Sequence, residues 1–189
     1  MRERVKLVSE ELLSKNWGTL KRTSFDFQRR DGSWQRLVRE TYENGRAAAV
    51  LLHCPERDTV LLVRQFRFPI YAQGRDGVIL EVCAGLLEDE APAAGVRREA
   101  EEEAGVRVKT LRHAFDVDTS PGSLIETVAC FVGTYDAASR VSAGGGLVAE
   151  GEDIEVVELA LAEALAKIDS GEITDGKTIM LLQFLALHP

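Results

Sequence analysis

Residues 85–106 read GLLEDEAPAAGVRREAEEEAGV, a short loop that runs into a helix-forming segment carrying Glu99, Glu102 and Glu103. On an α-helix, positions i, i+3 and i+4 share a face, so the three carboxylates crowd together. A like-charged i,i+4 pair costs about 0.2–0.5 kcal/mol, a cost that a bound divalent cation removes. Pro92 in the first turn and Gly105 at the far end bracket the helix. At about 100° per residue, Ala93, Val96, Ala100 and Ala104 fall on one stripe that can lie against a sheet. Glu99 and Glu103 flank that stripe and are expected to project into a cleft, with Glu102 one step further toward solvent. The competing reading is a solvated face on which Glu102 pairs with Arg98 at i,i+4. Oxygen-only ligands favour Mg²⁺ or Mn²⁺ over zinc or copper, and Mg²⁺ commonly shares itself with substrate phosphates. Phosphate chemistry is therefore the leading expectation.

Outward from this helix, VILEVCAG (78–85) reads as a strand ending at Gly85. Before it, AAAVLLHC (47–54) and TVLLVRQF (59–66) are continuous apolar runs joined by Pro55 to Asp58, the pattern of sheet strands buried on both faces. Further upstream, SFDFQRR (24–30) and WQRLVRETY (34–42) flank an Asp31-Gly32 turn and predict a β-hairpin, expected to form a separate N-terminal lobe. Downstream, RVKTLRHAFDV (107–117) and SLIETVACFVGTY (123–135) read as two strands around the Ser120-Pro121-Gly122 turn. SAGGGLVAEGED (142–153) follows as a loop. ALAEALAKIDSG (160–171) and DGKTIMLLQFLAL (175–187) carry helical spacing, with Gly171 and Gly176 as breaks. The expected class is α+β, an α/β/α sandwich with a mixed central sheet, divided into a β-rich lobe over 1–44 and a catalytic domain over 45–189.

With 189 residues, 45% of them hydrophobic, the chain can bury a full core. A net charge of -8 argues against a nucleic-acid backbone as partner and suits cation binding. Cys54, Cys83 and Cys130 sit far apart in apolar surroundings, which is neither a disulfide framework nor a zinc spacing, and read as reduced core residues. The first 17 residues are charged throughout without an apolar h-region, and no segment approaches the ~18 apolar residues of a membrane span. A soluble cytoplasmic protein is expected. His53, His113 and His188 lack any partner pattern and read as structural or exposed, and no Ser-His or Cys-His nucleophile pair is visible.

The box at 85–106 resembles that of the Nudix hydrolases: Gly, five residues, Glu, seven residues, Arg-Glu, an apolar residue, any residue, Glu-Glu, any residue, Gly, an apolar residue. Arg98 to Val106 fits the second half fully. The first half departs, because four residues rather than five separate Gly85 from Glu90, which weakens a role for Glu90. Within the family the chain is similar to the bacterial GDP-mannose pyrophosphatases of the ADP-ribose pyrophosphatase branch. That likeness runs nearly the whole length, through RQFR (64–67), CAGLLEDEAP (83–92), SPG (120–122), AGGG (143–146), EDIEV (152–156) and GEITDGKT (171–178). The Pro of SPG is a feature of the nucleoside-diphosphate-sugar branch.

The resemblance implies metals held by the backbone carbonyl of Ala84 and by Glu99, Glu103 and Glu152. It implies substrate contacts at Arg39, Glu40, Arg67, Gly85, Leu86, Glu126 and Lys177, with Trp17 where a Tyr would stack on the base. Val38 replaces a Lys and Gly151 an Asp, which loosens the argument for guanine and mannose. Other readings stand beside several of these: Arg67 as a sheet-edge charge, Lys177 as part of a helix start, the triple glycine as a flexible surface loop. That flexibility would let Glu152 swing in. Glu126, in an otherwise apolar strand, is expected to meet a ligand, metal or water rather than be buried unpaired. The implied reaction is Mg²⁺-dependent hydrolysis of a nucleoside diphosphate sugar, GDP-mannose giving GMP and mannose 1-phosphate. Arg67 would clamp the diphosphate, and Glu152 would be the base with Glu102 as the alternative. ADP-ribose hydrolysis is the runner-up, and a nucleotide-sugar sensor without catalysis belongs to a different class. A homodimer that uses the hairpin lobe is also implied.

Overall fold

The computed structural model describes residues 2–188, which form two compact units: one runs to Arg46 and takes in Asp118–Thr127, and the other holds Ala47–Val117 and continues from Val128. The first unit is a three-stranded antiparallel meander of β1 (Val5–Lys15), β2 (Thr19–Gln28) and β3 (Trp34–Glu43). The expected hairpin is β2–β3. Its turn closes with Arg29 N–H donating to Ser33 O at 2.8 Å and with Gly32 at φ 85°, a left-handed conformation that glycine adopts without strain. β1 is an addition to the sequence reading. Its pairing with β2 shifts register between Leu7 and Ser9 and again between Leu12 and Ser14, so bulges break the period-2 alternation by which a strand is recognised.

The second unit is built on a seven-stranded mixed sheet. Its path runs β10 (Glu155–Ala160), β5 (Thr59–Phe66), β4 (Arg46–Cys54), β9 (Thr127–Thr134), β8 (Leu111–Asp118), with β6 (Val78–Glu81) on β5 and β7 (Cys83–Leu87) on β4. β4 and β9 run parallel while β10 and β6 run antiparallel to β5. Alternate residues of β4 point to opposite cores. Val50 and Leu52 pack with Val96, Ala100 and Ala104 of α2 (Pro92–Ala104), and Ala49 and Leu51 pack with Ala164 of α3 (Leu161–Asp169) and with Leu181, Leu182 and Leu185 of α4 (Gly176–Leu187). Helices on both faces explain the uninterrupted apolar run, and the three-layer α/β/α class is the one expected.

Three details differ from expectation. The apolar run 78–85 is two strands, because at Val82 the chain leaves β5 for β4 and its N–H donates to Thr178 Oγ1 at 2.9 Å instead of to a ladder. β10 fills a sheet edge where no strand was expected. A short helix, α1 (Phe68–Ala72), follows Arg67.

Candidate active site

α2 starts with Pro92 at its first turn and ends at Gly105, which at φ 68° returns its N–H to Ala100 O. The apolar stripe of α2 is Gly95, Val96, Ala100 and Ala104, and Ala93 lies exposed rather than on it. The carboxylates grade in burial as the helical wheel requires: Glu103 is 1% exposed, Glu99 is largely covered and Glu102 more open. Burial, reinforced by Glu99, Glu152 and Glu81, pushes the Glu103 carboxyl up to about 8. Burial likewise raises Glu99, with Glu102 and Glu152 adding to it and Arg98 opposing. The site is therefore an acid cluster short of positive charge.

Arg98 gathers part of that cluster. Its guanidinium meets Glu102 at 2.7 Å, Glu99 at 2.9 Å and Glu90 at 3.3 Å. The Arg98–Glu102 pair weighed above as the bland reading thus exists, alongside the buried carboxylates rather than instead of them. Glu90 reaches Arg98 despite the shortened loop, since the missing residue precedes the helix.

Glu103 Oε2 accepts from Ala84 N–H at 3.2 Å, which ties the helix to β7. Gly85, next along β7, lies so close that a Cβ there would sit 1.8 Å from Glu99 Oε1. Glu152 Oε2 accepts from Leu147 N–H at 2.8 Å, and a Cβ on Gly146 would come within 2.5 Å of that oxygen. Two glycines thus leave room for two carboxylates. Glu99 Oε2 and Glu152 Oε1 have no hydrogen-bond partner among the described residues.

The triple glycine, one reading of which was a flexible surface loop, is hydrogen-bonded to the end of α2. Gly145 N–H donates to Glu103 O at 2.9 Å, Gly146 N–H donates to Glu102 O at 3.1 Å, and Ile154 N–H returns to Gly145 O at 3.2 Å. With φ values of 71°, 115° and 77°, Gly144, Gly145 and Gly146 wrap the end of α2 and satisfy carbonyls that a helix leaves open. Glu152 is therefore tied to the same helix that carries Glu99 and Glu103.

Arg67 follows the end of β5 at the start of α1, and Lys177 lies in the first turn of α4. Both meet the buried Glu81, at 2.6 and 3.1 Å. Asp175 caps α4 by accepting from Thr178 N–H at 2.9 Å. Glu81 escaped the sequence reading, although an acid inside an apolar strand was the signal that could have found it. Gln65 escaped as well, and its Oε1 is the one buried side-chain polar atom among the described residues that lacks a hydrogen-bond partner.

In the other unit, Trp17 occupies the β1–β2 turn and is 73% exposed. Arg39 donates to Val38 O at 2.8 Å, and Glu40 pairs with Arg22 at 3.2 Å. Glu126 lies ahead of β9, not inside a strand, and its Oε2 accepts from Thr119 Oγ1 at 2.6 Å. The three cysteines are free and buried. His53 and His113 pair with the nearby Asp58 and Asp116.

Among the described residues no three His, Cys, Asp or Glu side chains already stand at metal-ligand spacing. The donors nonetheless fit a hard divalent cation: oxygen ligands only, excess negative charge, and carboxylate oxygens left free beside glycine clearances. Among the described residues no helix is long and apolar enough to cross a membrane.

Residues 43–180 match the NUDIX domain family, and residues 4–42 match the GDP-mannose pyrophosphatase NudK N-terminal domain. The chain is 44% identical over 185 residues to a GDP-mannose pyrophosphatase of Cronobacter sakazakii, covering 97% of this chain and 96% of that protein. It is 41% identical over 188 residues to one of Escherichia coli O1:K1 / APEC, covering 99% and 97%. A solved structure described as an ADP compounds hydrolase superposes with a TM-score of 0.75 at 17% identity, over 97% of this chain and 93% of that one, a likeness of fold. An acid-rich helix capped by a glycine loop, inside the segment 43–180 that the family model matches, leaves one assignment: the chain belongs to the NUDIX domain family, with the NudK-type N-terminal domain ahead of it.

Proposed function

We propose that this protein hydrolyses the diphosphate of a nucleoside diphosphate sugar, GDP-mannose to GMP and mannose 1-phosphate, with Mg²⁺ as the metal and Mn²⁺ as a substitute. The carrying observation is Glu103, a carboxylate buried among Glu99, Glu152 and Glu81 with too little positive charge around it. The names of relatives above 40% identity support the substrate. Nudix hydrolases use divalent metal ions. Glu99, Glu103, Glu152 and the Ala84 carbonyl would hold them, and the bound ions would neutralise diphosphate charge and make the attacking water more acidic.

The chain's own groups do the rest. Arg67 presents terminal N–H groups to the phosphates, a planar fork matched to paired oxygens, and Lys177 adds a point charge beside it. Gly85 and Leu86, within β7, would offer backbone groups to the substrate. Glu152 is the better base of the two candidates, because its Oε1 is unpartnered whereas Glu102 is held by Arg98. Trp17, Arg39, Glu40 and Glu126 are assigned to the substrate on the family resemblance alone. The same resemblance, with the exposed apolar residues of β1, supports a homodimer, and the reduced cysteines support a cytoplasmic setting.

A second reading, ADP-ribose hydrolysis, is favoured by Val38 and Gly151, which remove a cation and a carboxylate from the sugar-nucleotide pattern. Turnover of GDP-mannose and ADP-ribose measured side by side with Mg²⁺, products separated by chromatography, decides. Preferred release of GMP and mannose 1-phosphate is expected; preference for ADP-ribose selects the second reading, and no turnover of either overturns both.

A further inference from the structure

Glu81 ends β6 at 1% exposure, where an unpaired carboxylate would cost several kcal/mol. Its two oxygens serve two different cations. Oε1 accepts from Arg67 Nε at 2.6 Å and Oε2 from Lys177 Nζ at 3.1 Å. Lys177 gives a second N–H to Asp175 Oδ1 at 2.9 Å, and the other Asp175 oxygen caps α4 through Thr178 N–H and Oγ1 at 2.9 and 2.7 Å. The run Arg67–Glu81–Lys177–Asp175 therefore joins the end of β5, the end of β6 and the first turn of α4.

Neither cation is used up by this arrangement. Arg67 is held through Nε, and its two terminal amino groups have no hydrogen-bond partner among the described residues. That free edge is the one that grips two phosphate oxygens at once. Lys177 has three N–H donors and spends two. The Arg67 backbone is already fixed, since its N–H donates to Gly77 O at 2.8 Å and its carbonyl accepts from Ile70 N–H at 3.0 Å. What remains to be ordered is the long side chain, whose freedom is costly to remove at the moment of binding.

We propose that Glu81 is a positioning residue that holds Arg67 and Lys177 side by side as a paired grip for the phosphates of a nucleoside diphosphate, without itself touching substrate. This rests on the nucleoside-diphosphate-sugar reading above. A Gln at 81 keeps the volume but turns an N–H₂ toward one cation and drops the charge, so one arm of the grip is released. An Asp is too short to reach both.

The test uses the full chain with Glu81→Gln, Glu81→Asp, Arg67→Ala and Lys177→Ala. For Glu81→Gln, KM for GDP-mannose should rise about tenfold or more with kcat within about threefold, the loss expected when a charge-assisted hydrogen bond is misaimed. Glu81→Asp should fall between wild type and Glu81→Gln, and it carries the test if Glu81→Gln does not fold. The double variant Arg67→Ala/Glu81→Gln should raise KM by less than the product of the single effects, because both act on one contact. GDP affinity measured by calorimetry in EDTA reads the grip without turnover and should weaken in parallel with KM. Wild-type KM and GDP affinity in both Glu81 variants, or multiplicative effects in the double variant, would overturn the inference alone. A wild-type protein that neither binds GDP nor turns over any nucleotide sugar would overturn the functional reading and the inference together.

Discussion

Glu103 concentrates the chemistry at the scale of one residue. It is buried and pushed toward neutrality by its neighbours, so its charge is best tolerated with a cation alongside. Glu103→Gln should cut turnover by orders of magnitude while the protein stays folded. It should also abolish most of the thermal stabilisation that Mg²⁺ gives wild type, because ligand binding to the native state raises its melting temperature by mass action. Near-normal turnover would overturn the metal assignment. Glu158 on β10 makes the opposite case. Burial alone would raise its carboxyl, but hydrogen bonds from Arg57, Thr59 and Tyr135 outweigh that and bring it down to about 2. The native state thus binds fewer protons than the unfolded chain between the ordinary carboxylate value and about 2. The stability this supplies is present above that ordinary value and lost as pH falls through the window. Glu158→Gln should cost about 1 kcal/mol near neutrality, discounted because the side chain is partly exposed, with the gap from wild type closing toward pH 2. Urea unfolding at pH 7 and pH 3 checks this, and a gap that does not narrow would refute it.

Among the elements, the glycine loop is the most sensitive. Gly146→Ala forces a Cβ to within 2.5 Å of Glu152 Oε2 at a φ of 77°, and the left-handed conformation itself costs about 1–2 kcal/mol for a residue with a Cβ. The expected result is a kcat lowered at least about tenfold, with a loss of thermal stability set by that strain. Wild-type kcat in this variant would show that the loop does not hold Glu152 for catalysis. α4 offers a measure of local stability. Asp175→Ala removes the N-cap bonded to Thr178 and also the partner of Lys177, and should cost at least the about 1 kcal/mol of a cap, read as a shift in denaturation midpoint at unchanged slope. The sequence carried α2 almost to the residue, since Pro92 and Gly105 are local signals. It did not carry β1, whose bulges defeat alternation, or β10, whose few residues acquire strand geometry only by pairing with β5. It carried the glycines of 144–146 but not their hydrogen-bond partners, which are carbonyls at the end of a helix some forty residues earlier in the chain.

For the molecule as a whole, β1 is a long edge strand with Leu7 at 77% exposure and Val8 and Leu12 also exposed. Such an edge invites pairing with a second copy. Light scattering should give twice the 20.8 kDa chain mass, and replacement of Leu7 and Leu12 by Lys should return the chain mass; a wild-type monomer would refute the dimer. The sequence by itself determined the family box, the acidic face of α2 and the doubly buried strands, because helix and strand periods, caps and apolar runs are set by residues a few positions apart. Only the tertiary structure decided that Glu81 joins Arg67 to Lys177, that the 78–85 run switches partner at Val82, and that Glu126 accepts from Thr119. A buried carboxylate states a need for partners without saying which, and the Lys177 that meets Glu81 lies 96 residues away along the chain.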